Sequence, residues 1–404
     1  MIIFLQDYKY LLVPILTWLA IQSFKVIYDL KVTKKFNFKR ILIKTAISLT
    51  AVSALPIASI ATAKTANAAD DQTEMRSFVR KTIANDYARG TTVVVKNGQP
   101  QQISYGYGYY GKRLGAGNNK VVYPVCSLQK VITAAIITQL IYAGKFTQDT
   151  KISNWYPNLK GASNITVGNL MTHTSGLKAT DTEVNRGRIY SENDAINWVV
   201  NKLNSTTQNQ PGKFSYNNTN YILLAGIIRQ VTGKSYKQNV QERVINPLGL
   251  KRTYFLEDIP SGMTDGISYT WNYKNYQWAQ YVKKQQASQL VGAGNLFSTP
   301  MDYYKIQVGL TNGKILDQAE FNYMTNLDTK PSNGYSGGMY VKGNLKSAYG
   351  NLYNTHFGNW VQLTKDNQNG LIMFLNQTQN DETRNKKIGY QILNHIQPNT
   401  FSSK

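Results

Sequence analysis

VCSLQKVITAAIITQLIYAGK, residues 125–145, is the stretch on which the fold turns. After Lys130 it carries Val131, Ile132, Ala134, Ala135, Ile136, Ile137, Leu140 and Ile141, and is apolar around nearly the whole circumference of a helix. Such a helix is buried. Ser127 and Lys130 nevertheless stand at its entrance, one turn apart. Capping explains the serine, whose oxygen can accept from an early backbone N–H while Gly144 ends the helix. It does not explain the lysine, because a cation in the first turn opposes the helix dipole at a cost of about 0.3 kcal/mol or more. The other reading starts from the spacing. Side chains at i and i+3 share a face, and an amine that loses solvation loses basicity until it can take a proton from a neighbouring hydroxyl. Ser-x-x-Lys then makes an activated nucleophile. The spacing alone leaves both readings open.

Outward from this helix, composition narrows the class. The chain has 404 residues, 42% hydrophobic, 12% aromatic and 17% charged, which suits one large or two small globular domains and excludes a disordered chain. Residues 10–28 are apolar and long enough to span a bilayer, although Lys25 interrupts them. The basic stretch KVTKKFNFKR follows at 31–40, then a second apolar segment at 41–63 that leads to Ala66-Asn67-Ala68, a small-x-small signal-peptidase site. The expected organisation is therefore a membrane span, or a start assigned too far upstream, over 1–37; a signal peptide or signal anchor over 38–69; and an exported domain over 70–404.

That exported part carries 36 Lys and Arg against 20 Asp and Glu, an excess of 16 positive charges. Such an excess attracts polyanions. Outside a bacterial membrane these are wall and lipoteichoic acids and anionic lipid heads, so an envelope polymer is the expected partner and nucleic acid is not. Cys126 is the sole cysteine, which rules out an intramolecular disulfide, and it reads as a small buried hydrophobe. The three histidines, His173, His356 and His395, form no ligand-spaced cluster, so no metal or cofactor is expected.

A helix is expected over 72–86. GTTVVVKNG (90–98) and QPQQISYGYGYY (99–110) alternate as a β-hairpin does. A polar, Asn-rich region over 146–250 holds helical segments at 191–203, 219–232 and 235–246. Strands return with SGGMYVKGN (336–344), SAYGNLYNT (347–355), NWVQLTKD (359–366) and GLIMFLNQT (370–378), and an amphipathic helix closes the chain at 383–396. Strands and helices are thus partly segregated, which predicts an α+β fold: an antiparallel sheet flanked by helices plus a mainly helical subdomain. In 267–282, Tyr269, Trp271, Tyr273, Tyr276 and Trp278 surround Lys274-Asn275 and read as cross-strand aromatic packing in a hairpin, with a carbohydrate-stacking surface as the rival reading.

Three further features bear on Ser127. Tyr216-Asn217-Asn218 precedes an apolar helix, and His356-Phe357-Gly358 opens a late strand, where Gly358 lets a ligand approach the backbone. Ser-x-x-Lys, Tyr-x-Asn and His-x-Gly, in that order, resemble the motifs of the class C β-lactamase and serine D-alanyl-D-alanine peptidase family. The resemblance extends to KISNWYP (151–157), LMTHTSGL (170–177), YNNTNYILLAGII (216–228), INPLGLKRTYF (245–255) and GAGNLFSTPMDYYKI (292–306), and covers roughly residues 75–396. It implies the β-lactamase/transpeptidase-like fold. It makes Ser127 the nucleophile of an acyl-enzyme, Lys130 the partner that lowers the barrier to removing its proton, and Tyr216 a general base that acts as phenolate or through a relay and later returns the proton to the leaving group. Asn218, His356 and Gly358 become substrate-binding residues, and the backbone N–H groups of Ser127 and Asn359 the oxyanion hole.

His356 stands where many members have lysine, and esterase members of the family commonly have histidine. Histidine is only partly charged near neutrality, which weakens recognition of a free carboxylate. The expected function is an exported, membrane-held serine hydrolase at the outer face of the membrane or in the wall, acting on D-alanyl esters of teichoic acid. A D-Ala-D-Ala carboxypeptidase is the close alternative, with a β-lactamase or a non-catalytic envelope-binding protein behind it. Oligomeric state is not legible.

Overall fold

The computed structural model describes residues 70–109, 112–113, 120–184, 186–398 and 401. The expected membrane and signal segments, 1–37 and 38–69, lie outside them. Among the described residues no helix is long and apolar enough to cross a membrane. The chain divides into two units, Met1–Thr73 and Glu74–Lys404; the described residues of the first, 70–73, are helical.

The second unit is organised by a nine-stranded sheet. Its strands in chain order are β1 (Arg89–Lys96), β2 (Gln99–Tyr105), β3 (Ser268–Thr270), β4 (Gln277–Gln280), β5 (Tyr335–Ser336), β6 (Met339–Lys342), β7 (Leu345–Gly350), β8 (Gly358–Thr364) and β9 (Gly370–Thr378). Neighbours run β5-β6-β7-β8-β9-β1-β2, all antiparallel. The antiparallel expectation fails at one junction, where β3 pairs parallel with β9 and carries β4 beside it. β9 is buried along its whole length, which is why its first six residues, GLIMFL, are apolar without alternation.

Alternation along the strands sorts the core into two layers. Val94, Trp360, Leu371, Met373 and Leu375 point to one face and pack with Val79 and Ile83 of the 74–85 helix and with Ile388, Ile392 and Leu393 of the C-terminal helix. Their neighbours Val93, Val95, Val361, Leu363, Ile372 and Phe374 point to the other face, into the larger core shared with the helical region. At the centre of that core lies α1 (Lys130–Tyr142), buried almost throughout. Around it are α2 (Val167–Met171), α3 (Glu192–Asn204) and α4 (Thr219–Thr232). α4 has the bounds read from sequence, and Gly233 past its end adopts φ 68°.

One expected helix is less regular than expected, and one expected strand is split. The helix expected over 235–246 is α-helical at Tyr236–Val240, widens to a π-turn over Gln241–Ile245 and continues as α-helix through Asn246–Leu248. The strand expected over 336–344 is split into β5 and β6 by a turn at Gly337-Gly338. A side chain on Gly338 would meet the backbone of Lys130 and Val131 at 2.4–2.6 Å, so the turn seats the sheet edge on the start of α1. The 267–282 segment does pack as aromatic pairs, Tyr269 on Tyr276 and Trp271 on Tyr87. Tyr273 and Trp278 remain exposed.

Candidate active site

Ser127 does not cap α1. It lies in a 3-10 turn, Cys126–Gln129, that leads into α1, and the N-cap position of α1 is Gln129, with no side-chain cap. Cys126 has the left-handed φ of 54°, a conformation that costs about 1 kcal/mol or more for a residue with a Cβ. Its thiol is buried, donates to the Pro124 carbonyl and is pushed well above the usual thiol pKa by burial, so it is not a nucleophile.

Lys130 Nζ is fully enclosed and donates to three oxygens: Ser127 Oγ at 2.8 Å, Asn218 Oδ1 at 2.8 Å and the Ala293 carbonyl at 3.2 Å. Burial pushes its pKa down to about 7, against an opposing pull from the Glu183 carboxylate. Two of the three acceptors cannot themselves donate. The Ala293 carbonyl has no proton, and the Asn218 amide is locked because its NH₂ faces Glu183 Oε1 at 2.6 Å. A neutral amine therefore keeps its two N–H bonds on Asn218 and Ala293 and turns its lone pair toward Ser127. The residues that place Ala293 are small for a reason: Gly292 has φ 74°, and a Cβ there would meet Ala225 and the Tyr221 carbonyl at 2.8 Å.

The Tyr216 hydroxyl lies near Ser127, and its ring lies under the Lys130 ammonium, 5.0 Å from Nζ to the centroid. Although Tyr216 is 40% exposed, burial against its neighbours raises the phenol pKa, partly offset by the nearby Ser127 hydroxyl. The exposed flank moderates that rise without reversing it, and the phenol is neutral at pH 7. Asn218 is at the N-cap position of α4 but makes no cap; its side chain spans Lys130 and Glu183 instead.

Behind Tyr216 is a directional hydrogen-bond chain. Ser175 Oγ donates to Asn220 Oδ1 at 2.6 Å, so Asn220 turns its NH₂ to His173 Nδ1 at 2.9 Å. His173 then carries its proton on Nε2 and donates to Tyr335 Oη at 3.2 Å. Tyr335 lies beside Tyr221, which donates to the Met171 carbonyl. The His173 ring is fully buried, 4.4 Å from that of Tyr216, and burial depresses its pKa well below the usual imidazole value. His173→Ala leaves two buried partners unbonded and opens a cavity, and should cost about 2–4 kcal/mol. The midpoint of urea unfolding should fall accordingly; an unchanged midpoint would contradict this role.

The late-strand residues are placed differently from one another. His356 is held between the Asn380 amide, 2.8 Å from Nδ1 and turned so that its NH₂ donates to that nitrogen, and the Trp278 carbonyl, to which Nε2 donates at 3.0 Å. Among the described residues it has no hydrogen bond to Ser127, Lys130 or Tyr216. Gly358 has a packing reason for its lack of side chain: a Cβ there would lie 2.4 Å from the Asn385 amide of α5 (Glu382–Ile396), the C-terminal helix. Asn359 reaches the nucleophile turn through its side chain, donating to the Pro124 carbonyl at 2.7 Å. Gly350 at the end of β7 lies against the same turn; a Cβ there would be 3.2 Å from Ser127 N. Sequence reading missed Gly350, Ala293 and Glu183. The GAGN segment was a signal for Ala293, but nothing local marks Glu183 in DTEVNRG.

A putative penicillin-binding protein, PbpX, from Bacillus subtilis is 29% identical over 76% of this chain and 75% of its own length. A teichoic acid D-alanine hydrolase from Staphylococcus aureus is 28% identical over 78% of this chain and 77% of its own. The crystal structure of FmtA from Staphylococcus aureus superposes with a TM-score of 0.66 at 23% identity, covering 81% of this chain and 88% of that one. The sequence model of the Beta-lactamase family matches residues 75–394, and the chain belongs to that family of serine hydrolases.

Proposed function

We propose that the chain is a D-alanyl esterase that releases D-alanine from teichoic acid at the outer face of the membrane, where its N-terminal segments deliver it. The observation that carries the chemistry is the enclosed Lys130 amine, held by Asn218 and Ala293 so that its free valence meets Ser127 Oγ. In acylation Ser127 Oγ bonds to the ester carbonyl carbon as its proton passes to Lys130. Collapse of the tetrahedral adduct breaks the bond to the alkoxy oxygen, which takes the proton of Tyr216, and Lys130 returns a proton to Tyr216. Water then attacks the acyl carbon by the same route in reverse, freeing D-alanine and Ser127. The backbone N–H groups of Ser127 and Asn359 are assigned to the oxyanion.

Three observations support the substrate: relatives named for teichoic acid hydrolysis, His356 in place of a fixed cation, and the excess of 16 positive charges on residues 70–404. Similarity to a penicillin-binding protein favours the second reading, D-Ala-D-Ala carboxypeptidase action. The two are separated by assaying D-alanine release from D-alanylated teichoic acid and from a muropeptide ending in D-Ala-D-Ala at two salt concentrations. The polymer ester should be cleaved faster, and salt should slow it more, since exposed charges reach only about 10 Å at 0.1 M. Rapid peptide cleavage without ester cleavage would reverse the assignment.

A further inference from the structure

Glu183 lies in the loop between α2 and α3 and is half-buried beside the site. Its Oε1 accepts from Asn218 Nδ2 at 2.6 Å and its Oε2 from the Tyr353 backbone N–H at 2.8 Å. These bonds come from opposite sides, the start of α4 and the loop after β7, and they fix the carboxylate while leaving each oxygen a further lone pair. No Lys, Arg or His among the described residues forms an ion pair with it. The other acid that acts on Tyr216, Glu382, is already paired with Lys386.

We propose that Glu183 is the receptor for the free α-ammonium group of the acyl moiety, so that the site selects unblocked D-aminoacyl esters over N-acylated ones. This rests on the esterase reading and adds its specificity. Reach permits it. The contacts from Ser127 Oγ through Lys130 and Asn218 to Glu183 are 2.8, 2.8 and 2.6 Å, which with the width of the amide places the carboxylate within roughly 10 Å of Oγ. In a bound α-aminoacyl ester the nitrogen is about 2.5 Å from the carbonyl carbon, itself about 3 Å from Oγ. An ammonium on the Glu183 side of the carbonyl is within the span separating nucleophile and carboxylate. A D-alanyl ester on a polyol has that ammonium, whereas the acyl D-alanine of a stem peptide carries an amide nitrogen and leaves Glu183 unpaired. Pairing also removes the field that favours protonated Lys130, so the fitting substrate helps to free the base.

The test compares kcat/KM for D-alanyl and N-acetyl-D-alanyl esters of one alcohol on the full chain, in wild type, Glu183→Gln and Glu382→Gln. Wild type should prefer the free amine. Glu183→Gln should cut that preference by about 10- to 100-fold, the worth of one charge-assisted hydrogen bond, whatever loss the two substrates share. Glu382→Gln should keep the preference. An equal loss on both esters in Glu183→Gln would mean that the carboxylate only orients Asn218, and would overturn the inference. In the Ser127→Ala background, calorimetric binding of D-alanine methyl ester should weaken by the same factor when Glu183→Gln is added; unchanged binding also overturns it. Absence of D-alanine release from any ester by wild type would instead count against the esterase reading, and the binding arm still decides the role of Glu183.

Discussion

Ser127→Ala abolishes covalent labelling of the chain by a fluorophosphonate or a fluorescent penicillin, and Cys126→Ala leaves labelling nearly intact. The expectation follows from the environments of two adjacent residues. Ser127 Oγ meets an amine of lowered basicity and a phenol, whereas the Cys126 thiol faces the Pro124 carbonyl, fully enclosed and held in its neutral form. Removing Oγ leaves no nucleophile, so intact mass after incubation should show no adduct. The fold should persist, because Ser127 makes no cap to α1. Adduct retained on the alanine variant would remove the acyl-enzyme mechanism.

Lys130→Met lowers kcat/KM by about 10²–10⁴-fold, the range of general acid–base catalysis. Methionine fills much of the lysine's volume, but it leaves the Asn218 amide oxygen and the Ala293 carbonyl without their donor. The sharper readout is the pH profile of the unmodified chain. Burial lowers the Lys130 pKa to about 7, so the free amine grows as pH rises through that value, and kcat/KM should climb from pH 6 to pH 8 with a midpoint near 7. Glu183 pulls in the opposite sense and keeps the midpoint from falling further. Tyr216→Phe should lower the rate while leaving the midpoint in place, because the phenol is a relay and its own pKa lies above the usual tyrosine value. A midpoint that disappears in Tyr216→Phe would make the phenolate the base. A wild-type profile flat from pH 6 to pH 9 would exclude Lys130.

Much of this was legible in residues that are neighbours along the chain. The i, i+3 spacing of Ser127 and Lys130 gives their shared face in any helical turn, and the 2.8 Å contact follows from it. Period-two alternation with Asn97-Gly98 between the arms predicted the β1–β2 hairpin, and the strand read at GLIMFLNQT, 370–378, has the bounds of β9. Where the strand reading erred, a distant segment was responsible. The strand expected over 336–344 is cut at Gly337-Gly338, because the chain there must pass the backbone of Lys130 and Val131, some two hundred residues earlier.

The same division runs through the site. Sequence by itself determined which groups are present: a serine and a lysine on one turn, a tyrosine and an asparagine at the entry of a second apolar helix, and a net positive charge on the domain. It did not determine what those groups are worth as acids and bases. The partners that hold Lys130 lie 88 and 163 residues from it, and the carboxylate that orients Asn218 lies 35 residues before it in a loop without a motif. Spacing is fixed by covalent geometry and is written in the chain. Basicity depends on how much water the fold removes and which dipoles it leaves in place, and only the assembled helices, the Gly292–Gly294 turn and the Glu183 loop decide that.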